Sequence, residues 1–208
     1  MAVVVSLQCF RWLLNLNLVD DAPSLDIIPW KLSVPAVRFD LASFKKDTTK
    51  PEIYNQLYLQ LISEYPLSEQ IFTDGSKTEE GVAAAAVSTK RMKKTFTCQL
   101  PDDSSIYTAE LRAILLALKH VHYSKGKSFL ILSDSLSSLQ SILNLKYDHP
   151  VLVQILELYT KMTRERGERL FSSGFPAMLA LGEILLQILQ LRMPLMATSR
   201  LSSSHSQT

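Results

Sequence analysis

The sequence predicts an α/β domain in which helices cover a mixed sheet, and three observations lead to this fold class. Three strand-like apolar runs follow one another between residues 69 and 100. A helical run then extends to about His122, and a fourth strand-like run ends at Asp134. Consecutive strands followed by alternating helices and strands are typical of layered α/β domains. With 208 residues, of which 47% are hydrophobic, the chain can bury one ordinary core.

Composition excludes few classes of partner. The formal net charge is +2, which neither demands nor excludes a polyanion. Cys9 and Cys98 provide no disulfide framework and no metal-ligand spacing, which suits a reducing compartment. Residues 1–19 and 179–196 are apolar but are interrupted by polar side chains, so we predict neither a signal peptide nor a membrane span. We therefore expect an intracellular protein of the cytoplasm or nucleus, with no membrane partner.

The first 66 residues predict an irregular leader. Several charged residues and the prolines at positions 23, 29, 35 and 51 punctuate this region. Residues 52–64 have apolar side chains roughly on one stripe, and Pro66 follows as a stop. We expect one docking helix there and no chemistry.

The first strand of the domain is predicted to end at Asp74. The pair Gly75-Ser76 follows directly and is typical of a turn, which would leave the carboxylate at the tip of the strand, facing solvent. Residues 82–88 and 92–100 predict two further strands. The basic pair Lys90-Arg91 between them suits a hairpin turn.

The helices have recognisable start signals. Residues 101–105 supply turn and N-cap side chains for the helix that runs to about His122. Ser135 directly follows the fourth strand and can cap a helix over residues 136–145. A further helix follows Pro150, a tolerated first-turn proline, and extends to about Arg164.

Three acids stand in contexts that could bring them together on a divalent cation. Asp74 and Asp134 end strands, and Glu110 lies on the helix face that carries Ala113 and Ala117. A lone carboxylate facing a sheet costs roughly several kcal/mol unless something compensates it, and a metal ion does so. Taken singly, Asp74 would be a turn residue, Glu110 an exposed helix charge and Asp134 an N-cap neighbour. The hypothesis therefore depends on all three.

Other polar side chains favour simpler interpretations. His120 and His122 follow Lys119 at the helix end and indicate a solvated basic face. His149 precedes Pro150 in a predicted loop. Lys90 and Arg91 are typical of a solvated hairpin, although a phosphate backbone would also attract them.

Three motifs, in order, resemble the ribonuclease H family. They are Phe72-Thr73-Asp74-Gly75-Ser76, Tyr107-Thr108-Ala109-Glu110-Leu111-Arg112-Ala113-Ile114 and Leu132-Ser133-Asp134-Ser135. Within that family, the chain is similar to the ribonuclease H domain at the C-terminal end of Jockey-like non-LTR retrotransposon polyproteins. The resemblance is strong over residues 65–163. Residues 29–30 and 54–66 look like the segment that joins this domain to the reverse transcriptase. We place the domain at residues 67–170, after the leader at 1–66.

The resemblance implies a ribonuclease H-like fold, with three antiparallel strands followed by parallel additions and flanking helices. It also implies hydrolysis of the RNA strand of RNA–DNA hybrids with two Mg²⁺ or Mn²⁺ ions about 4 Å apart. Asp74 would bridge both ions, whereas Glu110 and Asp134 would each bind one. The implied nucleic-acid contacts, including those to RNA 2′-hydroxyls, are Gly75, Ser76, Ser135, Lys90 and Arg91.

The sequence after Arg164 departs from the family pattern. The family's fifth strand, its Trp-Val-Pro-Ser-His-Val-Gly-Ile loop and its helix with a fourth carboxylate do not follow. Under the standard genetic code, a shifted frame over residues 174–194 can encode Val-Pro-Ser-His-Val-Gly-Ile and the helix after it. We therefore interpret residues 171–208 as a frameshifted, non-family tail. We expect the fifth strand to be missing and the second metal site to be weakened.

Two other classes of function remain open at this point. One is a catalytically impaired retrotransposon remnant that only binds nucleic acid. The other is a membrane-binding or partner-binding protein that uses the apolar residues 179–196. The polar interruptions in that segment argue against the second class.

Overall fold

The computed structural model describes residues 27–40, 50–79, 81–88, 94–124, 128–146, 148–166 and 177–180. Over these residues one mixed sheet has the strand order β1-β6-β5-β2-β3-β4. A short 3₁₀ helix lies at Pro29–Lys31. The other elements are β1 (Val37–Arg38), α1 (Pro51–Ser63), β2 (Glu69–Thr78), β3 (Gly81–Ser88), β4 (Lys94–Leu100), α2 (Ile106–Tyr123), β5 (Phe129–Ser133), α3 (Leu136–Leu143), α4 (Pro150–Arg166) and β6 (Ala177–Ala180).

The α/β fold class is confirmed. β2, β3 and β4 form antiparallel pairs, and β5 adds parallel to β2. All five side chains of β5 are buried, as expected for a parallel strand inside a sheet. The main core lies between this sheet and helices α2, α3 and α4.

Helix α2 lies at the centre of this core. Nine of its side chains are buried, so it is apolar on nearly every side except one narrow stripe. Its start is fixed by Ser105, whose Oγ accepts a hydrogen bond from the Thr108 N–H at 3.1 Å. The predicted helix and its cap are therefore confirmed.

The turn predicted at Gly75-Ser76 is wrong. β2 continues to Thr78, because its antiparallel pairing with β3 extends to the pair Thr78–Gly81. The parallel partner β5 stops earlier, at Ser133 opposite Thr73. Asp74 therefore lies in the interior of β2. It is the first residue of β2 beyond the end of the neighbouring strand β5.

The expectation that the fifth strand is missing is also wrong. Ala177–Ala180 pairs in parallel with β5, from Leu130–Ala177 to Ser133–Ala180, and in parallel with β1 on its other side. Strand pairing needs backbone N–H and C=O groups that any short apolar segment can supply, whatever its reading frame. Residues 177–180 of the tail therefore add a strand between β5 and β1.

The described residues of the leader also belong to the fold. The helix expected there is present as α1, which buries Tyr58 and Leu61. Lys31 and Ser33 contact α4. The Ser33 N–H donates to Thr160 Oγ1 at 2.8 Å, and Arg164 donates to the Lys31 carbonyl at 3.1 Å.

Arg38 connects β1 to the end of α1. Its guanidinium donates to Glu64 Oε2 at 2.5 Å, to the Tyr65 hydroxyl at 3.1 Å and to both carboxylate oxygens of Asp40 at 2.9 Å. A planar guanidinium can serve several acceptors at once, so one side chain fixes β1 relative to α1.

No helix in the described part of the chain combines the length and the apolar character needed to cross a membrane. Residues 1–19 and 181–196, where the apolar segments were noted, lie outside the described residues, as does Cys9. Cys98 is a buried free thiol on β4.

We predict that Met178→Pro will lower the melting temperature of the protein. β6 lies between β5 and β1, so the Met178 N–H faces one of these two strands. Proline removes that donor and leaves an acceptor unsatisfied, at a cost of about 1–3 kcal/mol. Thermal unfolding followed by circular dichroism measures the change, with Met178→Ala as the matched control that keeps the N–H. Equal melting of the two variants would show that this segment does not pair with β5.

Candidate metal centre

Three carboxylates from three separate elements converge at one end of the sheet. Asp74 comes from β2, Glu110 from α2 and Asp134 from the residue after β5. One carboxylate oxygen of each residue lies within 4.8 Å of those of the other two. All three side chains are half-buried. The structure thus brings together the three acids predicted from the sequence.

The register of the parallel strands places the two aspartates side by side. Thr73 and Ser133 form the last pair between β2 and β5. The next residue of each chain segment, Asp74 and Asp134, therefore lies just beyond this pairing and beside the other. Neighbouring strands lie about 4.8 Å apart, so two side chains at the same level of adjacent strands can both reach one ion. The sequence order alone did not specify this register.

Helix α2 brings the third acid over the same point. Its backbone at Ala109 and Glu110 lies directly against Gly75 of β2. The nine buried side chains of the helix fix its position on the sheet. Glu110 is therefore held beside Asp74 by core packing, not by a flexible loop.

The electrostatics of the cluster are unfavourable for three ionised acids. Burial raises the pKa of Glu110 to about 8, and the negative charges of Asp134 and Asp74 add to this effect, whereas a hydrogen bond from the Gly75 N–H opposes it. Glu110 Oε2 is buried and accepts no hydrogen bond within the described part of the chain. A cation at this point would supply the missing positive charge.

The donor set fits a hard divalent cation. Carboxylate oxygens are the ligands that such ions prefer, and three of them leave room for retained water. No histidine or cysteine joins this group among the residues that the structure describes. The three carboxylates could therefore hold an oxygen-ligated divalent cation.

Three of the residues predicted to contact nucleic acid, Gly75, Ser76 and Ser135, lie close to the acids in the chain. Gly75 is buried beneath α2, and Ser76 is half-buried one residue further along β2. Ser135 is half-buried after Asp134, with its Oγ 2.8 Å from Ser138 Oγ. It occupies the N-cap position of α3 but makes no side-chain capping bond. Lys90 and Arg91 lie outside the described residues.

The structure adds a polar cluster at the start of α2 that sequence reasoning did not assign. His149 Nε2 lies 3.2 Å from Thr108 Oγ1, and Thr108 Oγ1 lies 2.9 Å from Ser105 Oγ. The Tyr107 ring stands edge-on to the imidazole. Thr108 is two residues from Glu110. No local sequence pattern could have predicted the contact between Thr108 and His149, because 41 residues separate them in sequence.

The interpretation of His120 as a solvated residue is wrong. Only 12% of its side chain is exposed, and its Nε2 lies 3.1 Å from Glu69 Oε1. Its ring also packs against Phe96, with the ring centroids 4.8 Å apart. His120 thus belongs to the interior, at the end of β2 remote from Asp74.

Comparison with known proteins agrees with this geometry. Residues 67–165 match the model of the RNase H family. No curated protein matches the chain. The family match contains Asp74, Glu110 and Asp134, and it supports an RNase H domain with nuclease character in this part of the chain.

We predict that a divalent cation will stabilise the folded protein through the three acids. A ligand that binds only the folded state adds about 2.7 kcal/mol at a hundredfold excess over its Kd. Titration with Mn²⁺ should therefore raise the melting temperature. Asp74→Asn should remove the shift and Glu110→Gln should reduce it, whereas Glu165→Gln, which changes an acid near the C-terminal end of α4, should retain it in full. An unchanged shift in Asp74→Asn would contradict the assignment.

We also predict that the metal-free protein loses stability as the pH rises. The folded pKa of Glu110, about 8, exceeds its ordinary value of 4.5. The folded state therefore favours the protonated acid, and this contribution is fully present below about pH 4.5 and lost as the pH rises through about 8.

Each unit of pKa difference corresponds to about 1.4 kcal/mol of unfolding free energy. Because solvent screens a half-buried group, we expect the loss of unfolding free energy over this pH range to be about 2 kcal/mol. Urea unfolding with a chelator across this pH range measures the loss. Glu110→Gln should reduce the slope. An identical slope in that variant would assign the effect to other groups.

Proposed function

We propose, from the RNase H domain at residues 67–165, that this protein hydrolyses the RNA strand of RNA–DNA hybrids with divalent metal ions. The observation that carries the proposal is the meeting of Asp74, Glu110 and Asp134 within 4.8 Å. An RNase H-like sheet alone would be compatible with many activities, because fold does not specify function. An acidic cluster with an unsatisfied oxygen inside a matched family domain is more specific.

The metal ligands have different parts in this proposal. Two Mg²⁺ or Mn²⁺ ions, when bound, supply activation of the attacking water and stabilisation of the leaving oxygen. Asp74, Glu110 and Asp134 would together hold these ions, since their carboxylate oxygens lie within 4.8 Å of one another. Glu110 must release its proton to act as a ligand at neutral pH, so metal binding should release protons.

The substrate contacts belong to the same proposal. Ser76 and Ser135 flank two of the acids, and their hydroxyls can bond to the RNA strand, as can the backbone around Gly75. Lys90 and Arg91 would bind the phosphate backbone through charge. Such contacts weaken as salt rises, because counterions compete for the phosphates.

We further propose that the chain derives from a Jockey-like non-LTR retrotransposon and that residues 171–208 are read in a shifted frame. The three motifs and the upstream docking helix support the origin. The permitted codons of residues 174–194 support the frameshift. The pairing of β6 is compatible with it, because the pairing uses the backbone.

A second candidate is a catalytically impaired remnant that only binds nucleic acid. The cluster contains three acids and no fourth among the described residues, which favours a weakened second metal site. Binding through basic side chains would survive that loss. Cleavage would not.

We predict that the protein cleaves a labelled RNA–DNA hybrid in Mg²⁺ or Mn²⁺ and that Asp74→Asn reduces the rate by at least about 100-fold. The variant loses one of the three carboxylates that would hold the ions, so the metal ions would be bound weakly and out of position. Denaturing electrophoresis of the RNA strand measures the products, and Glu165→Gln serves as the matched control. Full activity in Asp74→Asn would overturn the proposal. Salt-sensitive binding without cleavage in either metal would support the remnant.

We predict that the genomic DNA changes frame between residues 163 and 173. The codons of residues 174–194 should then read Val-Pro-Ser-His-Val-Gly-Ile and onward in the other frame. Restoring the frame should increase both stability and the rate of hybrid cleavage, because a fourth acid and a histidine return. Sequencing of the locus is sufficient to check this. A different shifted reading would refute the account of the tail and leave the three-acid centre unaffected.

A further inference from the structure

Gly75 is in direct contact with the backbone of α2. A Cβ atom built at this position would lie 2.6 Å from the Glu110 nitrogen, 2.8 Å from the Ala109 carbonyl carbon and 3.0 Å from the Glu110 Cα. Real Cβ atoms essentially never come closer than 3.0 Å to another heavy atom. All three neighbours are backbone atoms, so no side-chain rotation could relieve the clash. A larger residue at position 75 would have to move the helix or the strand.

The requirement for glycine is steric. Among the described residues, Gly81 is the glycine with a positive φ, at 140°, and Gly75 has ordinary strand geometry. Gly75 pairs with Ala84 of β3 inside the ladder. Glycine inside a strand weakens it and marks a place where another backbone comes close. Conformational freedom therefore does not explain Gly75, whereas the contact with α2 does.

The same residue also holds the carboxylate of Glu110. The Gly75 N–H donates a hydrogen bond to that group. The second oxygen, Oε2, is buried and accepts no hydrogen bond within the described part of the chain. One oxygen is thus anchored on β2, and the other is left for a cation.

The surroundings leave little room for adjustment. Ala109 is fully buried, and Ala84 is 1% exposed. Leu111 and Ile114, on the same helix, are also fully buried. Close-packed interiors transmit displacements, so an added methyl group would shift the start of α2 by a few tenths of an ångström or more.

We infer that Gly75 is the positioning residue for Glu110. By allowing backbone contact between β2 and α2 and by donating its N–H, it sets the distance from Glu110 to Asp74 and Asp134. This role differs from contact with the RNA 2′-hydroxyls, since it operates without nucleic acid. The inference rests on the proposed metal-binding function and assigns a determinant of its affinity.

The test measures Mn²⁺ affinity of the full chain in the absence of nucleic acid, by calorimetry or by the paramagnetic signal of free Mn²⁺. Gly75→Ala should bind Mn²⁺ at least about tenfold more weakly, as is typical when a group that orients a ligand is lost. Gly81→Ala is the matched control. It strains a glycine with positive φ on the neighbouring strand and should lower stability without changing Mn²⁺ affinity.

A double-mutant cycle shows whether the effect passes through Glu110. In the Glu110→Gln background, adding Gly75→Ala should produce no further loss of Mn²⁺ affinity, since the positioned carboxylate is already gone. A full additional loss would overturn the inference. So would a Gly75→Ala protein that binds Mn²⁺ as tightly as the wild type.

A measurement on the wild-type protein avoids dependence on the folding of Gly75→Ala. The amide resonance of Gly75 should shift when Mg²⁺ is added, and this shift should vanish in Glu110→Gln. If the protein binds Mg²⁺ but the Gly75 amide resonance does not shift, the positioning role is refuted and the metal-binding function is not. Wild-type protein that binds neither Mn²⁺ nor Mg²⁺ would overturn the metal-binding function together with the inference.

Discussion

The contact between α2 and β2 is the constraint on which the rest of the structure depends. Nine buried side chains hold the helix on the sheet, and the missing Cβ of Gly75 lets the two backbones touch. The same packing that stabilises the core therefore places Glu110 beside Asp74, just beyond the last pair of residues between β2 and β5. The position of Glu110 is therefore tied to the packing of the core, since both depend on the same contact between α2 and β2.

The carboxylates of Glu69 and Glu110, one buried and one half-buried, differ in the groups that surround them. Glu69, at the start of the strand, accepts a hydrogen bond from Ser88 Oγ and lies 3.1 Å from His120 Nε2. Glu110, near the other end, faces two further acids and has a raised pKa. These two partners of Glu69 are thus protein side chains, whereas one oxygen of Glu110 has no hydrogen-bond partner among the described residues. This contrast is the physical argument for a cation at the acidic end.

The sheet extends beyond the residues that match the family. β1 comes from the upstream segment and β6 from the tail, and together they cover the side of β5 that faces away from β2. Ser33 also binds Thr160 of α4 across 127 residues of sequence. Without these strands, β5 would be an exposed edge. The flanking segments therefore protect the strand whose end carries Asp134.

The fold class, the three acids and most helix and strand positions could be predicted from the sequence alone. These features depend on local patterns: the apolar runs of β2 and β5, the Ser105 cap and the apolar surface of α2. Only the tertiary structure decided that β2 runs through Gly75-Ser76, because pairing with β3 overrides the local turn preference of those residues. It also decided the pairing of β6 and the positions of His120 and His149. Each of these depends on contacts between residues far apart in sequence, and local propensity carries no information about such contacts.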